Sequence, residues 1–354
     1  MDYEKAFDSV ETNAVIQALK NQGINTIYIK TIQEIYTNAT AILKLHKESE
    51  PIFIRRGVRQ GDTMSPKLFV ATLEEIFKRL NWDNKGINVN GKKLNHLRFA
   101  DDIVIISRDT AELEEMLSDL NNESRKVGLK MNMSKTKVMF NMYADNKEMK
   151  IGSETLEEVS KYTYLGQEIW PDGNQVQEIK RKTQAGWAAF SRYKDILTDK
   201  TMPNCLKRKL FNQCILPAIT YGSETWTLNK DMERKLKTTQ RSMERMMLGY
   251  TRRDRKRNIW IREQTRVKDV LTTVKGIKWR WAGHLGRMTD GRWSQLTTEW
   301  QPLYGVRKRG RPRARWRDEL VSYLGTTAWM RIAGDRRNWQ NLGEAFAQQW
   351  DDMG

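Results

Sequence analysis

Cysteine and histidine are almost missing: 354 residues contain 2 Cys, Cys205 and Cys214, and 3 His. That scarcity excludes a disulfide scaffold and a four-ligand zinc site built on Cys pairs, and it suits a reducing compartment. No apolar stretch approaches the roughly 20 residues of a membrane helix. The opening Met-Asp-Tyr-Glu-Lys carries charge where a secretory signal needs an apolar core. Internal repeats and long low-complexity linkers are lacking too. Together these absences predict a soluble, intracellular protein. Basic charge is what the chain has in excess: 62 Lys and Arg against 44 Asp and Glu, a net +18 that calls for a polyanionic partner. With 39% hydrophobic residues the chain has enough apolar side chain for real cores, in two or three domains.

The excess is uneven. Residues 1–150 hold 23 basic and 21 acidic residues, whereas 151–354 hold 39 and 23. All but one of the 13 Trp lie in the second part, interleaved with cations in Lys278-Trp279-Arg280-Trp281 and Arg313-Ala314-Arg315-Trp316-Arg317. Cations beside flat rings suit single-stranded nucleic acid, where stacking contributes about 1–3 kcal/mol per base. The competing reading is a helical core filled by Trp, with solvated Arg around it.

Apolar periodicity predicts helices over 9–22 and 26–38, with Gly23 as the stop between them. Residues 51–59 begin extended, and Ser65-Pro66 reads as an N-cap and N1 proline opening a helix to about Leu80. Two apolar runs around Asp101-Asp102 predict a β-hairpin with the acids at its turn. A helix over 110–127, a stop at Gly128 and a strand over 137–142 follow. This order is α+β: an antiparallel sheet backed by helices. From about residue 175 the pattern is mostly helical, with helices over 204–221, interrupted by Pro217, and over 231–248. Turns are expected at Gly283, Gly291 and 305–312.

Adjacent carboxylates at the tip of an apolar hairpin raise each other's pKa and ask for a cation. Hard dications held by a few carboxylates are the means of phosphoryl and nucleotidyl transfer. A solvated Asp-Asp turn is the alternative.

Asp2-Tyr3-Glu4-Lys5-Ala6-Phe7-Asp8, then 57–69 (Gly-Val-Arg-Gln-Gly-Asp-Thr-Met-Ser-Pro-Lys-Leu-Phe), then Phe99-Ala100-Asp101-Asp102 resemble motifs A, B and C of a reverse transcriptase, in order and in spacing. Gly128 to Lys137 resembles motif D, and Tyr164-Leu165-Gly166 resembles the motif E primer grip. The chain is most similar to reverse transcriptases of non-long-terminal-repeat (LINE-type) retrotransposons, in the RTE-like branch. The resemblance implies a palm with partial fingers over 1–168, a thumb-like helical region over 169–250 and a basic Trp/Arg-rich nucleic-acid-binding region over 251–354.

By the same resemblance, Asp2, Asp101 and Asp102 hold two Mg²⁺ ions, or Mn²⁺, with the main-chain carbonyl of Tyr3 as a further candidate ligand. Lys135 matches the motif D lysine that serves the leaving pyrophosphate, with Lys137 as a competitor. Phe7 falls at the steric gate that selects deoxynucleotides. Gln60 and Gly61 line the nucleotide and template, and Arg59, with Arg55 and Arg56, meets template phosphates. Arg309-Gly310-Arg311-Pro312 resembles an AT-hook core. The implied partners are template RNA, primer or target DNA and deoxynucleoside triphosphates, and use of chromosomal DNA implies a nuclear location. Motif A opens the sequence without a preceding strand, so Asp2 is expected to fray, and this N-terminally truncated fragment to polymerise weakly or not at all. A catalytically dead nucleic-acid-binding remnant is the alternative.

Overall fold

Two apolar runs flanking Ala100 and Asp101 pair as an antiparallel hairpin, His96–Phe99 with Asp102–Ile105, in a register that sets Phe99 opposite Asp102. This hairpin belongs to a computed structural model that describes residues 1–44, 46, 48–141, 144, 147–300 and 314–348. The AT-hook-like Arg309–Pro312 lies outside the described residues. The chain divides into two compact units, Met1–Ser160 and Lys161–Gly354.

In the first unit, helices Thr12–Asn21 and Thr26–Thr37 flank Gly23, whose φ of +74° ends the first of them. Asn25 caps the second by accepting the Ile27 N–H. Helix Ser65–Arg79 buries Leu68, Phe69, Leu73 and Ile76 on one face, the i, i+4 pattern of an amphipathic helix. Helix Thr110–Arg125 does the same with Met116, Leu117 and Leu120. Apart from Leu117, which packs with Met131, Val138 and Ile151, these faces meet Tyr3, Val10, Ile16 and Ile103 in one core, where each fully buried large side chain contributes about 1.5–3 kcal/mol.

Several local expectations need correction. Ser65 is the first helical residue and not the cap: Met64 stands at the N-cap, and Asp62 Oδ1 accepts the Met64 N–H at 2.9 Å. Asp62, three residues before the helix, is the more acidic and better-placed acceptor. Of the strand expected over 137–142, the described residues form only Lys137–Val138, which pairs in parallel with Glu157–Glu158. The extended stretch after Pro51 is likewise only Ile52–Phe53, paired antiparallel with Thr40–Ala41. Named strands among the described residues form two-stranded ladders rather than one continuous sheet, with the opening segment bonded between the strand Asp102–Ile105 and the irregular stretch 130–132.

The second unit begins with the hairpin Tyr162–Tyr164 and Gln167–Ile169 and continues as helices. Phe190 of its long helix Val176–Arg192 shares one core with Phe211, Ile215, Met243 of helix Lys230–Met247 and Leu271 of helix Val270–Gly286. The stretch around Pro217 resolves into helix Asn204–Leu210, one π turn over Phe211–Ile215 and helix Leu216–Thr220. Proline has no N–H to give and its ring crowds the preceding turn, so the chain widens there instead of breaking.

Gly283 is not a turn: it lies inside helix Val270–Gly286, where a Cβ would stand 2.5 Å from Trp339 Nε1. Its smallness admits a neighbouring ring. Trp279 and Trp339 stack with centroids 3.9 Å apart, and each indole N–H donates to the other residue's carbonyl, at 2.8 and 2.9 Å. With Trp329, Leu320 and Phe346 they form a second core. The core reading therefore holds for these tryptophans, and no Trp among the described residues is exposed. Lys278 is also interior: its ammonium donates to Glu319 Oε2 at 3.0 Å and to the Trp226 carbonyl at 3.3 Å. No helix among the described residues is long and apolar enough to cross a membrane.

Candidate active site

The opening segment is held from both sides. Met1 N donates to the Ile103 carbonyl at 2.9 Å and Ile103 N–H donates back to Met1 O at 3.3 Å. On the other edge Asn132 N–H donates to Asp2 O (2.9 Å), Glu4 N–H to Lys130 O (2.8 Å), and Tyr3 bridges Met131. Tyr3 is 2% exposed and its hydroxyl lies 2.6 Å from Ser124 Oγ. Burial, against the Ser124 bond, pushes its phenol up to about 12. The fraying expected at Asp2 is therefore not what the fold presents: backbone bonds on both edges and a buried anchor one residue away fix it.

This arrangement brings Asp2 beside the hairpin turn that carries Asp101 and Asp102. Ala100 takes φ +53°, a left-handed conformation uncommon for alanine, which tightens the turn before the acids. The Asp102 carboxyl is raised above the usual carboxylate range by burial, then by the charges of Asp101 and Asp2. The three carboxylates thus share one field. Hard oxygen donors under mutual repulsion fit a hard dication in chemistry. Their side chains are not gathered around a point, since no group of three acidic, His or Cys side chains among the described residues stands ready to hold an ion. Asp2 Oδ2 instead meets the Lys135 ammonium at 3.0 Å, whereas Lys137 pairs with Glu157.

Motif B is tied to the end of motif A. Val58 N–H donates to Phe7 O (2.6 Å) and Gly57 N–H to Val10 O (2.8 Å). Gly57 has φ +92°, and a Cβ there would lie 2.8 Å from Asp8 O. The Phe7 ring is half-buried and stacked on Phe69 at 4.9 Å. Gln60 donates to Asp8 Oδ1 at 3.3 Å. Arg59, Gln60 and Gly61 are exposed, as are Arg55 and Arg56.

In the second unit, Leu165 (φ +49°) and Gly166 (φ +77°) make the two-residue turn of the Tyr162–Ile169 hairpin. The Gly166 carbonyl accepts from Arg181 (2.6 Å) and Lys182 (3.0 Å), and Tyr221 OH donates to Leu165 O at 3.4 Å. The Lys182 ammonium lies 4.7 Å from the centre of the Tyr221 ring. The tip is braced, and it leaves Leu165 exposed.

The residues that sequence reasoning passed over are the supports: Gly57, Asp8 and Ser124. Ser124 was visible as the one polar position on the buried stripe that runs through Met116, Leu117 and Leu120.

Residues 1–169 match the reverse transcriptase (RNA-dependent DNA polymerase) family. A transposon-derived protein of Caenorhabditis elegans is 40% identical over 72% of this chain and 96% of its own length. The chain belongs to the reverse transcriptases of non-LTR retrotransposons. A Pol polyprotein of the R2 retrotransposable element from Nasonia vitripennis is 33% identical over 44% of this reverse transcriptase chain, and one from Popillia japonica 31% over 38%. The chain spans 15% and 23% of those two polyproteins. The fold of the reverse transcriptase part is the polymerase palm, helices with small sheets, and the family works with divalent metal, a nucleic-acid template and deoxynucleoside triphosphates.

Proposed function

We propose that this chain extends a primer 3′-hydroxyl with deoxynucleotides on an RNA template, with residues 1–168 as palm and partial fingers. One observation carries the reading: the opening motif A segment is bonded to Ile103 on the strand that leaves the motif C turn, so that Asp2 acts on the ionisation of Asp102. Asp2, Asp101 and Asp102 are the residues that would hold two Mg²⁺ ions, or Mn²⁺, with the Tyr3 carbonyl as a further ligand. Such ions, when bound, stabilise the charge that develops in nucleotidyl transfer.

The chain's own groups do the rest. Lys135, already at Asp2, serves the leaving pyrophosphate as a cation or proton donor. Phe7, held in place by Phe69, crowds a ribose 2′-hydroxyl and favours deoxynucleotides. Gln60 and Gly61 line the nucleotide and template, and Arg59 meets template phosphate. The braced turn at Tyr164, Leu165 and Gly166 is the primer grip. Helices from about residue 169 serve as thumb, and the Arg-rich remainder binds RNA or target DNA. Priming on chromosomal DNA requires access to the nucleus.

The test is incorporation of a single deoxynucleotide by the purified chain, with Mg²⁺ or Mn²⁺ and a DNA primer annealed to RNA. Incorporation that disappears in Asp101→Asn supports the proposal. A chain that binds the primed template but adds nothing refutes it in favour of a binding remnant.

A further inference from the structure

Helix Lys230–Met247 and helix Asn258–Thr265 are joined through 250–257, Tyr-Thr-Arg-Arg-Asp-Arg-Lys-Arg, with five cations and one carboxylate. A run of like charge is ordinarily a solvated, self-repelling segment. This one is braced in three ways. Thr251 and Asp254 form a reciprocal cap, in which Asp254 Oδ2 accepts the Thr251 N–H (2.6 Å) and hydroxyl (2.8 Å). Arg245 of the preceding helix donates to the Lys256 carbonyl (3.0 Å) and to Asn258 Oδ1 (2.7 Å). The Lys256 ammonium lies 5.7 Å from the Tyr250 ring and 5.1 Å from the Trp260 ring, and those rings meet edge to face.

The carboxylate is thus consumed by the cap and the lysine by the rings. Arg252, Arg253, Arg255 and Arg257 remain, all exposed, and none forms an ion pair among the described residues. Four arginines within six residues of a fixed backbone repel one another unless an anion meets them. The braces fix the backbone that carries them. Arginine forks match phosphate oxygens two at a time, which acidic side chains spaced along a peptide do not offer in series.

We propose that this arginine knuckle is a phosphate-backbone clamp for nucleic acid, separate from the palm. The choice of nucleic acid among polyanions rests on the polymerase reading above. The two rings beside the arginines, Tyr250 and Trp260, are half-buried and occupied by Lys256, so the clamp is expected to hold phosphates rather than read bases.

The test uses the full chain and three fluorescent probes of one sequence: 20-nucleotide RNA, 20-nucleotide DNA and the DNA duplex. Affinities are measured by anisotropy across a range of NaCl concentrations. The variant combines Arg252→Gln, Arg253→Gln, Arg255→Asn and Arg257→Gln; Asn is chosen because residue 255 has φ +49°. Loss of four phosphate contacts lowers the slope of log K against log salt by about 3 and weakens binding by roughly tenfold or more near 0.15 M salt. The probe that loses most identifies the natural strand. Slope and affinity unchanged on all three probes overturn the proposal, and leave the knuckle to an acidic protein partner. If the quadruple variant melts early, Arg253→Glu alone is read instead, with a slope change of about 1 expected for the single lost contact and no change overturning the proposal. Asp101→Asn run alongside separates the two readings: it removes incorporation if the palm is active, and leaves the salt slope untouched either way.

Discussion

The Lys135 ammonium lies 3.0 Å from Oδ2 of Asp2, while Lys137 is paired with Glu157 on the parallel strand beside it. Spacing alone left the two lysines as rivals; only one of them reaches the acidic cluster. We expect Lys135→Ala to lower the rate of nucleotide addition by about 10²-fold, the scale of a lost proton donor, with template affinity little changed. Lys137→Ala is expected to stay within about twofold, because its charge is spent on Glu157. Single-turnover incorporation on a primed RNA separates them, and equal losses would remove the distinction.

Asp102 is pushed toward protonation by burial and by Asp101 and Asp2, so three like charges oppose folding of the metal-free chain. Asp102→Asn relieves that repulsion. It should raise the melting temperature in EDTA while cutting incorporation by about 10²-fold or more, the scale of a lost electrostatic group. A variant that loses activity and melts lower would mean that Asp102 is a structural acid.

Much of this site was legible because motifs A, B and C are local strings whose chemistry sits in a few consecutive residues. The hairpin at Asp101, the stop at Gly23 and the amphipathic helices follow from period and turn chemistry that the chain states within a short window. What stayed hidden depends on partners distant in sequence. Gly57 must be glycine because of Asp8, and Ser124 is polar because Tyr3 arrives from far along the chain. The same holds for Trp279 and Lys278, which look like nucleic-acid contacts in a basic stretch and become core once Trp339 and Glu319 are in place.

Gly57 and Gly61 both have positive φ, +92° and +85°, but only Gly57 faces backbone, with Asp8 O 2.8 Å from its missing Cβ; nothing lies within 4 Å at Gly61. Gly61→Ala therefore carries conformational strain alone, about 1 kcal/mol. Gly57→Ala adds a clash with a segment that has little room to yield, and should cost roughly 2–3 kcal/mol while parting motif B from motif A. Urea midpoints of the two variants give the comparison, and similar losses would count against a close approach of Gly57 to the Asp8 backbone.

His96 lies against Phe77 and Trp82, and burial, with Arg98 adding to it, lowers its imidazole to about 4. A base whose folded pKa is depressed contributes stability that is complete above the unfolded value near 6.5 and is lost as pH falls toward 4. The chain should thus weaken between pH 6.5 and 4 more steeply than His96→Phe, which has no proton to take up. Denaturation midpoints at pH 7.5 and 4.5 for both proteins check the sign. Parallel pH profiles would show that His96 is not part of the acid response.

Gly276 and Gly283 lie two turns apart in helix Val270–Gly286, and propensity alone says that alanine at either should stabilise by up to about 1 kcal/mol. Their surroundings differ. At Gly276 the nearest atom to a new Cβ is the Arg280 guanidinium at 3.7 Å, an ordinary contact at the end of a flexible side chain. At Gly283 it is Trp339 Nε1 at 2.5 Å, and that ring is stacked on Trp279 and donates to its carbonyl. Moving the ring costs packing, about 1–3 kcal/mol, and strains a buried hydrogen bond contributing about 1 kcal/mol. Gly276→Ala should raise the melting temperature and Gly283→Ala should lower it, opposite signs from one substitution in one helix. Stabilisation by both would mean that the Trp279–Trp339 pair yields freely, and that the second core is not packed around this glycine.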